Sequence, residues 1–299
     1  MTFETPTARR MTLSRISLLA ATLIWGTSFV ILKNTLDSIT TLHLMAYHFT
    51  TAGLVMLIIG PRNIRQFNRS YFIDGGIMGV FLFAAYTSQT FGLVFTTPGI
   101  NAFLTAIYCV VVPFMMWVIY KKRPDKYNII SAVICFCGVG FISIRSDFSI
   151  GLGELLTILC GFFFAAHMLA TARFAEGRNI VLLNAVQLLA VAALSWISAF
   201  TFETESASFS SNALLGIIYL ALMYTAVCYF LQTYGQKYTP PSSVAVIMTL
   251  EAVFGALFSV AFYSENLDFR LIFGFFLIFA ATIISETKPK FLQRKTSVQ

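Results

Sequence analysis

Apolar stretches long enough to cross a lipid bilayer recur along almost the whole chain. A membrane-spanning helix needs about 20 apolar residues, and short polar separators divide this sequence into ten such stretches. Because backbone groups inside lipid must be satisfied within helices or closed barrels, they predict an all-α membrane protein with ten transmembrane helices. The predicted spans are 14–34, 41–60, 72–95, 98–120, 128–145, 152–172, 180–201, 212–235, 241–263 and 269–286.

The basic residues are divided unequally between the two sides of the predicted bundle. With the N-terminus inside, 17 of the 20 Lys and Arg fall on the inner side, and only Lys33, Arg145 and Arg270 fall outside. This positive-inside pattern predicts that both termini are cytoplasmic. It also accounts for the pI of 9.2 without nucleic acid. We therefore expect a lipid bilayer around the chain, with anionic-lipid contact a further possibility, and no nucleic-acid partner.

An internal repeat relates the two halves of the chain. At an offset of 143, residues 86–102 and 229–245 share seven identities in 17 positions, including Tyr86 with Tyr229 and Gln89 with Gln232. The first helices of each half align at an offset of 139, which pairs His48 with Gln187 and Trp25 with Phe164. The predicted repeats are 1–146 and 147–299, with five helices each. Because each repeat crosses the membrane an odd number of times, the second repeat enters from the opposite side and is inverted relative to the first. Inverted repeats are typical of secondary transporters.

Two sequence motifs resemble a known family. Trp25-Gly26-Thr27-Ser28-Phe29 resembles its first helix, and residues 231–284 resemble the C-terminal signature of the drug/metabolite transporter (DMT) superfamily, EamA type. The resemblance implies ten helices, two EamA repeats and export of amino acids or related metabolites from a bacterial cytoplasm. It therefore implies a multi-pass protein of the bacterial inner membrane that is not an enzyme. The family's Glu-Pro pair in the ninth helix is Glu251-Ala252 here, and its basic residue in the second helix is His48.

Glu251 is the leading candidate for substrate binding. Ionisable groups inside a membrane are costly, so they are functional hypotheses by default. The sequence places Glu251 near the centre of the ninth helix and its repeat partner Tyr108 near the centre of the fourth. The carboxylate could bind a substrate ammonium or take up a proton. The alternative is a protonated carboxyl that serves helix packing.

Further polar and aromatic residues could line a central cavity between the halves. Histidines within spans could couple transport to protons, although neutral histidines bonded between helices are equally expected. The tyrosine and glutamine pairs share a helix face, and interhelical hydrogen bonding is their alternative role. Residues 162–164, three phenylalanines, are expected to pack against helices or lipid. Besides Glu251 and Tyr108, the candidates are Trp25, His48, Tyr86, Gln89, His167, Gln187, Tyr229 and Gln232, and Asn101, Asn184 and Tyr224 could line the same cavity.

Prolines mark candidate turns and hinges. Pro98 and Pro241 lie between predicted helices, where proline favours the first helical turn, and Pro113 lies within the fourth predicted helix. Hinge roles are possible for all three, with turn formation as the simpler role. The five cysteines lie within predicted spans and the three histidines form no metal-binding motif. No cofactor, metal or disulfide framework is expected.

Secondary export of small amphiphilic metabolites, with amino acids as the best class, is the leading functional hypothesis. The mechanism would be alternating access around a central cavity, with proton coupling as an option. Uptake of a metabolite or vitamin, efflux of cationic drugs and a channel are alternatives within transport. An intramembrane hydrolase using Ser28 and His167 is an alternative of another class, although Phe29 stands where its motif needs glycine. The oligomeric state is open, and a monomer is compatible with the sequence.

Overall fold

The helices of the chain are described by a computed structural model over residues 8–60, 68–121, 123–143, 150–204, 211–239, 244 and 247–287. The first half contains α1 Ala8–Leu36, α2 Thr41–Ile59, α3 Arg69–Phe95, α4 Pro98–Thr105, α5 Tyr108–Tyr120 and α6 Lys126–Ser143. The second half contains α7 Leu152–Phe174, α8 Ile180–Phe202, α9 Ser211–Tyr219, a π-helical segment Leu220–Val227, α10 Cys228–Tyr238, α11 Leu250–Tyr263 and α12 Phe269–Thr287.

These helices have the length and composition of membrane spans. Seven helical stretches are long and apolar enough to cross a bilayer, counting α4–α5 and α9–α10 as one each. Three shorter apolar helices correspond to α6, α11 and α12. Many large apolar side chains point outward, such as Phe200 and Phe269, which are more than two-thirds exposed. The all-α membrane fold is therefore confirmed, while the number of complete spans and the side of each terminus remain predictions.

Polar residues between the apolar stretches start the helices. Asn68 and Asn179 accept backbone N–H groups at the starts of α3 and α8. The Thr97 hydroxyl does the same for α4, whose first residue is Pro98. Asn and Thr favour these positions because they satisfy amides that lack partners within the helix. The turn role of Pro98 is confirmed. Pro241 and the boundary between the predicted repeats, at 146/147, lie outside the described residues.

Two helices begin at the centre of the molecule rather than passing through it. A turn at Ala106 and Ile107 separates α4 from α5, and bonds of i→i+3 spacing tighten the chain there. Tyr108 is consequently the first residue of α5, and Glu251 lies in the first turn of α11 after a turn at Thr249. Tyr108 lies near the centre of the span Pro98–Tyr120, as predicted, but a turn interrupts the helix just before it, and a turn at Thr249 likewise precedes Glu251. Pro113 lies inside α5.

The helices of each half pack mainly against helices of the other half. The principal contacts join α2 to α8, α3 to α7, α1 to α10 and α11, and α6 to α12. This arrangement maps onto itself when the halves are exchanged, since α2 corresponds to α8, α6 to α12 and α1 to α7. Individual contacts repeat too: Gly92 lies against Thr157 and the matched Gly235 lies against Leu18, the residue matched to Thr157.

Polar contacts between the halves close both ends of the bundle. At one end, the Arg178 guanidinium binds the Asp74 carboxylate and the Ser70 hydroxyl at the start of α3. At the opposite end, Glu265 accepts hydrogen bonds from the Thr97 hydroxyl and, at 3.0 Å, from the Gly99 N–H. Glu265 thereby caps α4 from the second half. The two ends are called the arginine end and the glutamate end below.

Glu203, just beyond α8, caps α2 at the glutamate end. Its carboxylate accepts the backbone N–H groups of Leu42 at 2.9 Å and His43 at 3.1 Å, together with the Thr40 hydroxyl at 2.6 Å. Burial alone would raise the pKa of Glu203, but these hydrogen bonds and one with the His43 ring outweigh it and hold the pKa below its ordinary value. The carboxylate is therefore ionised at neutral pH, as capping of a helix N-terminus favours.

Adjacent glycines of α3 provide a direct test of the close helix packing. A Cβ added at Gly75 would lie 2.7 Å from the Val186 side chain of α8, whereas one at Gly76 would meet nothing within 4 Å. Gly75→Ala should therefore destabilise the protein by about 1–3 kcal/mol, the usual cost of overpacking. Gly76→Ala is the control and should leave stability unchanged or slightly raised. Thermal unfolding in detergent measures both, and equal midpoints would contradict the packing.

Candidate functional site

A small cavity lies between the two halves at the centre of the bundle. Its volume is about 20 Å³, which is room for about one water molecule. Its walls come from α1, α3, α4, α5, α7, the π-helical segment, α10 and α11, together with Met248. The lining residues are Trp25, Tyr86, Gln89, Thr105, Tyr108, Phe164, Met168, Tyr224, Tyr229, Gln232, Met248 and Glu251.

Tyr86 and Tyr229, which the repeat matches, contact one another in this cavity. Their hydroxyl groups are 3.0 Å apart, with Tyr229 donating to Tyr86. The surrounding rings repeat the symmetry: Trp25 lies edge-on to Tyr229 with a centroid separation of 5.6 Å, and its match Phe164 lies edge-on to Tyr86 at 5.5 Å. A direct contact between matched residues places them at the axis that relates the halves. The cavity is therefore built around this axis.

The two matched glutamines point polar atoms into the cavity in equivalent ways. Gln89 Nε2 donates to Thr105 Oγ1 at 3.2 Å, and Gln232 Nε2 contacts Met248 Sδ at 3.9 Å. Thr105 and Met248 are themselves matched at the offset of 143. Both glutamines are almost completely buried, and their Oε1 atoms have no hydrogen-bond partner among the described residues. Each half therefore supplies one carbonyl oxygen that a bound molecule could use.

Glu251 and Tyr108 provide the polar groups in which the two halves differ. The Glu251 carboxylate lines the cavity and accepts no hydrogen bond within the part of the chain that the structure describes. The Tyr108 hydroxyl is also buried, and it has no hydrogen-bond partner in the part of the chain that the structure describes. Both stand at helix starts, where the helix dipole favours negative charge, and such helix ends at a cavity are typical of transporters. The site thus presents two glutamine oxygens, the Glu251 carboxylate and the Tyr108 hydroxyl, none of which has a hydrogen-bond partner recorded among the described residues.

The histidines lie behind the cavity wall rather than in it. His48 Nδ1 is 3.0 Å from Thr225 Oγ1, and His167 Nε2 is 2.9 Å from Gln187 Oε1. Their rings pack near the tyrosines, with His48 6.5 Å from Tyr86 between centroids. His48, His167 and Gln187 are therefore not among the residues that line the cavity in this conformation, and their part in substrate binding stays a prediction. These polar side chains bond to neighbouring helices instead.

Asn184 joins several of these buried groups. Its Oδ1 accepts hydrogen bonds from Gln187 Nε2 and, at 3.1 Å, from Thr233 Oγ1. Its Nδ2 donates at 3.3 Å to the backbone oxygen of Tyr229. The network links α8 directly to α10 and so supports Tyr229 from behind.

Eight of the candidate residues meet in the cavity, and four lining residues were not among the candidates. The candidates that line it are Trp25, Tyr86, Gln89, Tyr108, Tyr224, Tyr229, Gln232 and Glu251. Phe164 was assigned to packing, and its match to Trp25 was the signal that could have placed it here. Thr105 and Met248 are matched at the offset of 143, but apolar or small residues give no chemical signal on their own. Met168 completes the lining.

Trp25 shows how the π-helical segment shapes the wall. Its indole Nε1 donates to the backbone oxygen of Tyr224 at 2.9 Å. A π-helical segment changes the usual i→i+4 pairing of backbone groups and often occurs at functional sites. Within the described residues, no group of three His, Cys, Asp or Glu side chains could hold a metal ion.

Comparison with known proteins identifies the family. The model of the EamA-like transporter family matches residues 13–144 and again residues 151–287. The chain belongs to the EamA-like transporter family. An uncharacterized transporter of Archaeoglobus fulgidus is 34% identical over 90% of this chain and 84% of its own length. A second uncharacterized transporter, from Acidianus ambivalens, is 24% identical over 82% of this chain and 94% of its own.

A solved structure shares the fold of this EamA-like transporter. It superposes with a TM-score of 0.72 at 18% identity, covering 95% of this chain and 99% of the other. At that identity the likeness concerns the fold alone. The EamA-like transporter is therefore a multi-pass membrane protein with a known helical architecture.

Matched threonines test the Asn184 network of this EamA-like transporter. Thr233 donates to Asn184, whereas its repeat match Thr90 is equally buried and its hydroxyl has no partner. Thr233→Val should lower stability by about 0.6–2 kcal/mol, the range for hydrogen bonds between membrane helices. Thr90→Val should leave stability unchanged or raise it, because it removes an unsatisfied hydroxyl. Thermal unfolding compares the pair, and a larger loss for Thr90→Val would refute the assignment.

Proposed function

We propose that the protein is a secondary transporter that exports small amphiphilic metabolites bearing an amino group, with amino acids as the leading substrate class. The observation that carries the proposal is the Glu251 carboxylate, which faces the central cavity without a hydrogen bond from any described residue. A polar group inside a membrane without a partner is costly. A bound substrate ammonium would supply the missing donors.

The other cavity groups suit the same ligand. The Oε1 atoms of Gln89 and Gln232 are free acceptors, and an ammonium carries up to three donors. The rings of Tyr86, Tyr229 and Trp25 can face a cation favourably. Phe164 and Met168 offer apolar contact to a substrate side chain. An amphiphilic amine could contact both the polar and the apolar residues of the cavity.

Transport requires the halves to move, because the cavity in this conformation is far smaller than an amino acid. Binding pockets for small ligands usually have several hundred Å³, against about 20 Å³ here. We infer alternating access, in which the halves rock about the axis at Tyr86 and Tyr229. The contacts of Arg178 with Asp74 and of Glu265 with α4 would then open in turn.

A second candidate is transport of amines or drugs that carry a positive charge and no carboxylate. The favouring observation is that none of the described residues lining the cavity is Lys, Arg or His. An amino acid's carboxylate would have to rely on the Tyr108 hydroxyl and on polar groups exposed by movement. A cation without a carboxylate needs no such hydrogen-bond donors from the cavity.

The Ser28 hydrogen bond speaks against the hydrolase alternative. Ser28 Oγ donates to the Ile24 backbone oxygen of its own helix at 2.7 Å, whereas His167 Nε2 contacts Gln187. A catalytic serine needs a base within hydrogen-bond reach. The described hydrogen bonds include none between Ser28 and His167.

Substitution of Glu251 tests the proposed site. Glu251→Gln keeps the shape but removes the charge, and a charge-assisted hydrogen bond contributes about 1.5–3 kcal/mol, so substrate affinity should fall about tenfold to hundredfold. Counterflow in proteoliposomes measures this, and its pH dependence tests proton coupling. Glu154→Gln is the control, because Glu154 is buried within the bundle but does not line the cavity. Unchanged counterflow in Glu251→Gln would remove Glu251 from the mechanism.

A matched pair of substrates separates the two candidates. Phenylalanine and phenethylamine differ only in the carboxylate. Exchange of phenylalanine in preference to phenethylamine supports amino-acid transport, and the reverse order supports the amine candidate. Loading vesicles from either side then distinguishes export from uptake.

Labelling tests the proposed ten-span topology with cytoplasmic termini in a prokaryotic plasma membrane. Asp37 and Glu176 are matched at the offset of 139, and both are exposed in the loops α1–α2 and α7–α8. Inverted repeats place them on opposite sides. In a background with the exposed Cys137 replaced by serine, a membrane-impermeant maleimide should label Asp37→Cys in intact cells and Glu176→Cys only after permeabilisation. Labelling of both from one side would rule out inversion.

A further inference from the structure

A groove outside the transport cavity opens at the arginine end of the bundle. It lies between the start of α8 and α10 and has a volume of about 490 Å³. Residues on its walls include Arg178, Val181, Phe230, Tyr234, Lys237 and Tyr238. It shares none of the residues that line the central cavity. The groove is therefore a separate feature of the molecular surface.

One wall of the groove is aromatic and follows the axis of α10. Phe230, Tyr234 and Tyr238 are spaced by four residues, so they share one helix face. All three are partly exposed. Ile180 and Val181 of α8 add apolar surface across the groove. Tyrosines are enriched where a helix meets the lipid headgroups. The tyrosine end of this wall is therefore expected at headgroup level, and the Phe230 end is expected among the acyl chains.

Lys237 supplies a cation at the mouth of the groove. Its ammonium donates to the Arg178 backbone oxygen at 3.2 Å, which uses one of three N–H donors. The Arg178 guanidinium is already bound to Asp74 and Ser70. The Arg10 guanidinium lies 5.8 Å from the Tyr238 ring centre and adds positive charge nearby. Asn179 already caps the amides of Val181 and Leu182, so Lys237 rather than the helix N-terminus provides the donors.

We propose that this groove binds an anionic phospholipid of the cytoplasmic leaflet, with the phosphate at Lys237 and an acyl chain along Phe230 and Val181. The arginine end carries most of the basic residues, which is the side that anionic lipids occupy. Charge at the mouth and apolar surface below match the two parts of a phospholipid. A soluble anion would use Lys237 but gain nothing from the aromatic wall.

Native mass spectrometry of the full chain tests the proposal with dioleoyl-phosphatidylglycerol against dioleoyl-phosphatidylcholine. The wild type should retain the anionic lipid preferentially. Lys237→Gln should reduce that preference about fivefold, the effect of one basic residue near anionic lipid. Lys237→Arg keeps the charge and should preserve the preference. Lys126→Gln, an exposed lysine at the start of α6 and outside the groove, is the matched control and should behave as the wild type.

Two outcomes would overturn the proposal. Equal losses in Lys237→Gln and Lys126→Gln would mean that lipid is held by diffuse charge rather than by the groove. Displacement of phosphatidylglycerol by millimolar inorganic phosphate, with no dependence on acyl chains, would identify a soluble-anion site. Thermal unfolding of Lys237→Gln in detergent shows whether the variant is folded, and recovery of lipid preference in Lys237→Arg separates charge from structural damage.

Discussion

Packing of each half against the other, rather than within itself, is the constraint on which the rest of the structure depends. α2 packs on α8, and α3 packs on α7, so neither half has a complete core of its own. Glycines inside the bundle let helices of the two halves approach closely. Gly92, for example, lies directly against Thr157. Because the cavity lies where the halves meet, any relative movement of the halves changes the cavity. If the cavity binds substrate as proposed, binding and movement of the halves are therefore coupled.

The two halves are similar in most of the residues around the cavity but differ at Glu251, and these two features have different consequences. Tyr86 and Tyr229 bond across the axis, and Gln89 and Gln232 repeat one another's environment. A symmetric frame gives the two end states similar energies, which allows rocking with small net cost. Glu251 has only Tyr108 as its counterpart. The carboxylate therefore introduces the difference by which a substrate can be recognised.

Matching of the two repeats predicted many of the residues that line the cavity. Choosing residues by their chemical type alone was less successful for the histidines. Offset matching led to Tyr86, Gln89 and their partners, because repeat symmetry converts sequence position into spatial position. The cost of an ionisable group inside a membrane pointed to Glu251, and the repeat added Tyr108 as its counterpart. The helix start beside Glu251 was not predicted, since an apolar run does not reveal where a helix is interrupted. His48 and His167 were predicted by residue type alone. In the structure His48 bonds to Thr225 and His167 bonds to Gln187, and these partners depend on three-dimensional packing.

The surplus of acceptors in the cavity limits the chemistry of the ligand. The Glu251 carboxylate and two glutamine oxygens lack donors from the described residues, and the donors of Trp25 and Tyr229 are already engaged. Leaving a buried polar group unpaired costs about 1–3 kcal/mol. Under the proposed function, a ligand rich in N–H donors pairs with these oxygens together, whereas a ligand rich in acceptors has mainly the Tyr108 hydroxyl to pair with. The balance of donors, more than the shape of the cavity, therefore favours an ammonium over other small metabolites.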